Sequence, residues 1–262
     1  MELGFSGDVA EFYQRYRHGY PAAAIDVLTD AFQLSPEDLV VDLGCGTGQL
    51  TLPIAARVRG IIGVDPEPDM LIRARQAADE ANITNVSWML GADTDLPALG
   101  RLFADRPIGA VTIAQALHWM PHEELFRSSL SLVRAGGGVA VVTNGVPLWL
   151  HDTDWSRALR GCLEQWLGEP LTSACGTDQQ SQRQYQEALS RLGCDVLSTS
   201  IEYALELSLD DIVGSVFSAF PVDRLPAPEA RPAFFDRVRE ALGPQERFSE
   251  QVRVAILAGR VA

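Results

Sequence analysis

Short β-rich segments alternate with longer helical patterns between residues 38 and 143. The predicted strands are Leu39–Leu43, Gly60–Val64, Val86–Leu90, Ala110–Ala114 and Val139–Thr143. Helical patterns occupy residues 49–58, 67–81 and 121–134 between them. Because strands joined by helical crossovers pair in parallel, this alternation predicts a parallel sheet covered by helices on both faces.

The flanking regions have different patterns. Residues Asp8–Phe32 are predicted helical with an interruption at Gly19-Tyr20-Pro21, where glycine and the pre-proline restriction oppose a continuous helix. After Thr143 the βα order stops. The later predicted helices are Trp155–Leu167, Gln179–Leu192, Asp210–Phe220 and Pro228–Leu242, and the later predicted strands are Val196–Leu207 and Phe248–Val261.

These patterns together predict one α/β fold: a doubly wound, Rossmann-like, mostly parallel seven-stranded sheet with a helical cap. The predicted units are lid helices in residues 1–37, a core in 38–144, a helical cap or insertion in 145–193, and a C-terminal part in 194–262. That last part is predicted to complete the sheet and to contain an inserted helical region at about residues 208–242.

Composition limits the classes of partner. The chain has 262 residues, is 47% hydrophobic and carries 21 Lys+Arg against 35 Asp+Glu, a net charge of −14. This excess of negative charge disfavours nucleic acid. No apolar stretch approaches the roughly 18 to 20 residues of a membrane span, and Met1-Glu2-Leu3 does not resemble a secretory leader. We therefore expect a cytoplasmic protein without a membrane partner, either a monomer or a homodimer.

The four cysteines are far apart and form no CxxC pair. Only four histidines are available to join them as ligands, so the sequence predicts reduced thiols and no metal site. The cysteines are Cys45, Cys162, Cys175 and Cys194.

A glycine-rich loop follows the first predicted strand, in the segment VVDLGCGTGQL of residues 40–50. Closely spaced glycines let a backbone turn sharply and approach a ligand just before a helix N-terminus. The G-x-G-x-G spacing differs from the dinucleotide fingerprint, because Gln49 stands where its third glycine would be. No Gly-Lys-Ser/Thr follows, which excludes a P-loop. The loop therefore predicts a nucleotide or nucleoside site of another kind.

Asp65 ends the second predicted strand, 21 positions after Gly44. A carboxylate at that edge can accept hydrogen bonds from both hydroxyls of a ribose. Alternatively, Asp65 caps the helix that Pro66 begins. The glycine loop in register with Asp65 favours the ribose role.

Five segments resemble, in order and spacing, the motifs of class I S-adenosylmethionine-dependent methyltransferases. They read VDLGCGTGQLT, GVDPEPDML, GADTDLP, AVTIAQALHWM and SLVRAGGGVAVVT, and the resemblance covers roughly residues 10–145. FYQRYRHGYP and ALHWM are further similar to the branch that includes trans-aconitate-type and many natural-product small-molecule methyltransferases. In that branch an N-terminal Tyr/Arg segment, here with Tyr13, Tyr16 and Arg17, closes over the cofactor.

The resemblance implies S-adenosyl-L-methionine as the cofactor. The loop glycines would contact its methionyl part, Asp42 would orient the amino group, and Asp65 would bind the ribose. Pro66 and Met70 would lie against the adenosine, with core packing as the alternative for Met70. Arg17 would pair with the cofactor carboxylate or an acidic acceptor, with a surface ion pair as its alternative. The full set implied is Tyr16, Arg17, Asp42, Gly44, Cys45, Gly46, Gly48, Asp65, Pro66, Met70, Ala92, Asp93 and Gln115.

The acidic segment departs from the common pattern of relatives. It reads GADTD at residues 91–95, where relatives often have G-D-A-E or G-x-A-E. Asp93 is the residue expected to bind the adenine amino group, with Asp95 as the substitute. A loop carboxylate of this kind alternatively caps a turn.

Methyl transfer from a sulfonium is an in-line displacement, so an enzyme mainly desolvates and aligns the nucleophile. A positioned base helps if the acceptor is a hydroxyl, a phenol or an activated carbon. His118 is the predicted base, because it follows the fourth strand, where loops lie beside the cofactor. Its alternative is a packing or capping role. The predicted substrate contacts are His18, Trp119, Trp149 and His151.

Tryptophans are concentrated around the predicted insertion. At a cleft they would favour a flat, partly apolar acceptor, and their alternative role is core packing. The residues concerned are Trp119, Trp149, Trp155 and Trp166.

We therefore predict a methyltransferase that acts on a small molecule in biosynthetic or secondary metabolism, with O-, N- and C-methylation left open. An adenine-type amino methylase would carry an Asn/Asp-Pro-Pro-aromatic run after the fourth strand, and a catechol methylase would carry a carboxylate cluster there. Neither is evident. Two alternatives remain: a non-catalytic protein that binds a nucleoside cofactor, and a nicotinamide-dependent oxidoreductase, which Gln49 disfavours.

Overall fold

Seven strands form one sheet in the computed structural model, which describes residues 4–103, 108–172 and 175–262. The strands are β1 Leu39–Leu43, β2 Gly60–Asp65, β3 Val86–Leu90, β4 Ile108–Ala114, β5 Val133–Asn144, β6 Asp195–Leu207 and β7 Phe248–Arg260. Their order across the sheet is β3-β2-β1-β4-β5-β7-β6. Strands β1 to β5 pair in parallel, and β7 is antiparallel to both β5 and β6. The predicted Rossmann-like, mostly parallel seven-stranded fold is confirmed.

Ten α-helices lie within the described ranges. They are α1 Asp8–Tyr16, α2 Ala22–Ala31, α3 Thr51–Ala55, α4 Pro68–Glu80, α5 Leu96–Leu102, α6 His122–Leu130, α7 Asp154–Leu167, α8 Gln179–Arg191, α9 Leu209–Phe217 and α10 Arg231–Leu242. The sequence did not predict α5, because Pro97 and Gly100 are residues that usually interrupt helices. Pro97 lies in the first turn, where proline is tolerated. None of these helices is long and apolar enough to cross a membrane.

The predicted units contain three short segments outside the described residues. Residues 1–3 belong to the predicted lid, 104–107 to the predicted core and 173–174 to the predicted cap. The predicted helix of residues 121–134 differs from the structure at its end. There α6 stops at Leu130 and β5 begins at Val133, which pairs with Ile108 of β4.

The central strands are buried on both faces. Successive side chains of a strand point to opposite faces, so Val40 and Val41 of β1 enter two different apolar cores. Helices α5, α6 and α8 cover the face that contains Val41. Helices α2 and α3 cover the face that contains Val40. This two-sided cover explains the continuous apolar runs by which the parallel strands were predicted.

A third apolar core lies beyond the sheet and is built by α7, α9, α10 and the adjoining ends of β6 and β7. Helix α8 does not share this core, because its apolar stripe of Tyr185, Ala188 and Leu189 packs on the sheet. The segment predicted as one cap, residues 145–193, is therefore split between two cores. The division of the chain into four units stays a prediction.

Strands β6 and β7 extend past the carboxyl end of β5. Asn144, the last residue of β5, pairs with Val254, and the part of β7 before Val254 continues as a two-stranded ribbon with β6. The inward-facing residues of this ribbon reach the edge of the sheet where the parallel strands β1, β2 and β4 end. The ribbon thus forms a wall beside the site described below.

Gly138 and Gly161 provide a matched test of the packing. A Cβ at Gly138 in β5 would lie 2.1 Å from the Gly259 carbonyl oxygen of β7, whereas a Cβ at Gly161 in α7 would meet nothing within 4 Å. Gly138→Ala is expected to lower the free energy of unfolding by about 1–3 kcal/mol or more, through overpacking. Gly161→Ala should leave it unchanged or raise it by up to about 1 kcal/mol. Urea unfolding measures both, and equal stabilities of the two variants would contradict this account.

Candidate functional site

The glycine loop between β1 and α3 folds over the end of β2. The Gly44 and Cys45 amides both donate to the Val64 carbonyl oxygen, at 2.8 and 3.1 Å. Gly44 has a φ of +66°, and a Cβ there would lie 2.4 Å from the Ala116 Cβ. Only glycine fits this left-handed conformation and this close approach, so the loop brings bare backbone to the sheet edge.

Asp65 is the carboxylate that closes this loop from the end of β2. Its Oδ2 accepts a hydrogen bond from the Gly46 amide and its Oδ1 accepts one from the Glu67 amide, both at 2.9 Å. Burial raises the pKa of Asp65 to about 6, against the lowering effect of these two amides. The side chain is 6% exposed and faces the cavity described below. Each oxygen keeps one further lone pair for a ligand.

Asp42, the last residue but one of β1, is buried between two threonines. The Thr51 hydroxyl donates to its Oδ2 and the Thr112 hydroxyl donates to its Oδ1, both at 2.6 Å. Burial raises the pKa of Asp42 to about 6, and the two hydroxyls partly oppose this. Asp42 therefore ties β1 to β4 and α3, besides lining the cavity.

A cavity of about 250 Å³ opens at the carboxyl ends of the parallel strands. This is the edge at which open α/β sheets bind ligands. The glycine loop, the segments after β2 and β4, the end of α1 and the β6–β7 ribbon all contribute to its wall. The predicted site residues on the wall are Tyr16, Arg17, His18, Asp42, Gly44, Cys45, Gly46, Asp65, Pro66, Met70, Gln115, His118, Trp119 and Trp149.

Three residues predicted to bind the cofactor lie off this wall. Gly48 has a φ of +89°, and a Cβ there would lie 3.1 Å from the Trp88 ring, so this glycine serves packing against β3. The Ala92 amide donates to Asp95 Oδ2 at 2.9 Å, so Asp95 caps the turn, which was the alternative role for a carboxylate here. Asp93 belongs to the same 3₁₀ turn and does not reach the cavity.

Two side-chain hydrogen bonds attach the end of helix α1 to helix α9. The Tyr16 hydroxyl donates to Asp210 Oδ2 at 2.8 Å, and Arg17 Nε donates to Ser218 Oγ at 2.8 Å. Burial and then the Asp210 hydrogen bond raise the pKa of Tyr16 to about 12. Because its hydroxyl is engaged by α9, Tyr16 presents its ring to the cavity.

His118 lies on the cavity wall in the 3₁₀ turn of residues Leu117–Trp119. Its Nδ1 is buried and has no hydrogen-bond partner, and burial lowers the pKa of the imidazole below its usual 6.5. The ring centroid is 4.8 Å from that of Trp119. A neutral imidazole with an unmet nitrogen, in a site that a ligand could fill, is suited to accept a proton.

Two of the four tryptophans considered from the sequence line the cavity. Trp149 stacks on Phe220 with ring centroids 5.2 Å apart, and Trp119 is 53% exposed. Trp155 and Trp166 pack in the third apolar core, which was their alternative role. Two of these tryptophans thus lie on the wall and two do not, and other aromatic residues of the wall include Phe5 and Tyr20.

His151, predicted to contact substrate, lies behind the wall. Its Nε2 is 3.4 Å from Glu250 Oε1 on β7, and Nε2 has no hydrogen-bond partner. Glu250 itself lines the cavity. Glu250 thus lies on the wall next to His151, and the substrate contact of His151 stays a prediction.

Polar wall residues that were not predicted from the sequence as site residues include Tyr13, Asn144 and Glu250. Tyr13 was placed in the lid only, and its ring lies beside Gly46. Asn144 ends β5 and accepts a hydrogen bond from the Tyr203 hydroxyl at 3.2 Å. Glu250 left a signal, because it occupies an inward position in the alternating pattern of β7. A charged residue in an apolar register marks a candidate site.

The chain is similar in sequence to known methyltransferases. Residues 40–137 match the family described as "Methyltransferase domain". An uncharacterized methyltransferase of Mycobacterium bovis is 33% identical over 144 residues, which are 55% of this chain and 53% of that protein. An uncharacterized methyltransferase of Schizosaccharomyces pombe is 24% identical over 257 residues, 97% of this chain and 93% of that protein.

Among solved structures, a protein of Anaeromyxobacter dehalogenans, provisionally named a type II methyltransferase, is 20% identical. It covers 94% of this chain and 98% of its own, with a TM-score of 0.58, which shows a shared fold. The chain spans about half the length of the first curated relatives it matches. Residues 40–137 are thus similar to a methyltransferase domain, and the chain shares the fold of a solved protein of that kind.

Raising the pH from 3.8 to about 6 is expected to remove stability contributed by Asp42 and Asp65. Their folded-state pKa values of about 6 exceed the ordinary 3.8, so the folded protein binds these protons more tightly than the unfolded chain. This contribution is fully present below 3.8 and is lost as pH rises through 6. Urea unfolding at several pH values gives the free energy of unfolding as a function of pH. Its slope against pH should be smaller in Asp65→Asn than in the wild type, and unchanged in Asp79→Asn, on the exposed face of α4. Identical slopes in all three proteins would refute the assignment.

Proposed function

We propose that this protein transfers a methyl group from S-adenosyl-L-methionine to a small-molecule acceptor, in a biosynthetic reaction. The observation that carries the proposal is the Asp65 carboxylate, buried beside the glycine loop and facing the cavity. The four cysteines of the chain are free. Free cysteines are typical of proteins in a reducing compartment, so we infer that the reaction takes place in the cytoplasm.

The residues of the cavity fit this cofactor. Gly44 and Gly46 have positive φ values and line the cavity with backbone alone, and the Asp65 oxygens have lone pairs left for two ribose hydroxyls. Arg17 is the fixed positive charge on the wall and suits a carboxylate. When bound, the cofactor would supply an electrophilic methyl group on a sulfonium.

The protein's own part in the reaction is to align the acceptor and to exclude water. Helix α1, held to α9 by Tyr16 and Arg17, covers the cavity, and Phe5 lies on the wall. The N-terminal segment is held at the start of α4, since the Gly4 amide donates to Glu67 Oε1 at 3.1 Å. A neutral His118 would accept the proton that a hydroxyl, phenol or carbon acid loses on attack.

A small-molecule acceptor is favoured over a nucleic acid by size and by charge. The cavity of about 250 Å³ is covered by α1, and the chain carries a net charge of −14, which repels polyphosphate. The alternative is a protein that binds the cofactor without catalysis. Such a protein would show no methyl transfer in the acceptor screen described below.

The cofactor proposal is tested by Asp65. We expect S-adenosylmethionine and S-adenosylhomocysteine to bind in the micromolar range, and Asp65→Ala to weaken binding by about 2–3 kcal/mol, because charge-assisted hydrogen bonds to the ribose are lost. Calorimetry measures both, with Asp79→Ala as the control. Preference for NAD would overturn the cofactor assignment. An unchanged dissociation constant in folded Asp65→Ala would leave Asp65 only its role at the Gly46 and Glu67 amides.

The base is tested by His118. With an acceptor identified by screening candidates against labelled cofactor, His118→Ala should reduce kcat by about 10²-fold and leave cofactor affinity nearly intact. The wild-type rate should rise with pH through the lowered pKa of His118, and the variant should lack that limb. His122→Ala, at the start of α6 and off the cavity wall, is the matched control. A variant that keeps both the rate and the limb would assign His118 to packing.

A further inference from the structure

One charged residue interrupts the apolar inner face of the β6–β7 ribbon. Along β7 the inward residues are Phe248, Glu250, Val252 and Val254, and Glu250 is 7% exposed. Burying a carboxylate costs free energy that an apolar side chain in the same register would not. Nothing about strand formation requires a glutamate here, so its position calls for an explanation in the groups and the space around it.

The surroundings of Glu250 leave its carboxylate available to the cavity. None of the described residues donates a hydrogen bond to it, and the His151 contact of 3.4 Å is longer than a normal N–H···O bond. The neighbouring Tyr203 hydroxyl is already engaged, since it donates to Asn144 Oδ1. Glu250 therefore has acceptor capacity that faces the space a ligand would occupy.

The other carboxylates on the wall have partners of their own. Asp42 accepts from two threonine hydroxyls, Asp65 from two amides, and Glu67 from the Gly4 amide. With Glu250 they make four acids among the described residues of the wall, against one arginine, Arg17, and two histidines, His18 and His118. An acidic wall attracts cations and repels anions. The charge thus disfavours an acidic acceptor.

We propose that Glu250 binds a protonated amine on the methyl acceptor, and that the acceptor is an aromatic or otherwise apolar amine. An ammonium group supplies the hydrogen-bond donors that Glu250 lacks among the described residues, and it adds a positive charge beside the carboxylate. Trp149 and Val252, also on the wall, offer apolar surface for the rest of such a molecule. This inference rests on the proposed function and names its substrate class.

Matched probes test the inference directly. 2-Phenylethylamine, 2-phenylethanol and 3-phenylpropanoate form one set, and tryptamine, tryptophol and indole-3-propionate form a second. Titrations followed by NMR, with and without S-adenosylhomocysteine, give their affinities. In the wild type the amine of at least one set should bind about tenfold or more tighter than its carboxylate, and Glu250→Gln should abolish that preference. Absence of an amine preference in both sets, or its persistence in Glu250→Gln, overturns the proposal.

Two further variants separate recognition from structure. Gln251→Ala, on the exposed face of the same strand, should keep the amine preference. Glu250→Leu restores the apolar register and should unfold at the same temperature as the wild type or higher, while losing the preference. A marked loss of thermal stability in Glu250→Leu, with the preference intact in Glu250→Gln, would make Glu250 a structural partner of His151 instead.

Failure of the proposed function is distinguishable from failure of this inference. S-adenosylhomocysteine binding to the wild type tests the cofactor site without any acceptor probe. The probe titrations without cofactor test Glu250 without any reliance on Asp65. A protein that binds the cofactor product but shows no amine preference would retain its proposed activity and lose this substrate class.

Discussion

The hydrogen bond from the Gly46 amide to Asp65 is the interaction on which the site depends. It joins the loop after β1 to the end of β2, and the Gly44 and Cys45 amides reinforce the join at the Val64 carbonyl. The same carboxylate both shapes the loop and faces the ligand space. Loop conformation and ligand binding are therefore coupled through one side chain.

Polar groups at this edge of the sheet lower the stability of the fold, although local hydrogen bonds offset part of that loss. Asp42 and Asp65 are buried with raised pKa values, and His118 carries an unmet nitrogen. A core made only for stability would place apolar residues at such positions. These three groups lie at or beyond the carboxyl ends of β1, β2 and β4, while apolar residues build the two cores on either side of the sheet.

Local patterns predicted the sheet well and the site only in part. Strands β1 and β3 have their predicted ends because continuous apolar runs and turn residues bound them. The early start of β5 at Val133 depends on pairing with Ile108, which no local pattern encodes. Asp65 and His118 could be predicted because they lie at or just after the ends of parallel strands. Glu250 lies within an antiparallel strand, and only the tertiary fold brings that strand to the cavity.

The attachment of α1 to α9 affects how the protein folds. The hydrogen bond between Tyr16 and Asp210 joins residues 194 positions apart in the chain. Contacts of such long sequence separation close late, because the entropy of the intervening loop is lost before they form. The five parallel strands and the glycine loop lie within residues 38–144, whereas the cover of the cavity needs the C-terminal helices. During synthesis, a nascent chain would thus have an open cleft long before it has a closed one.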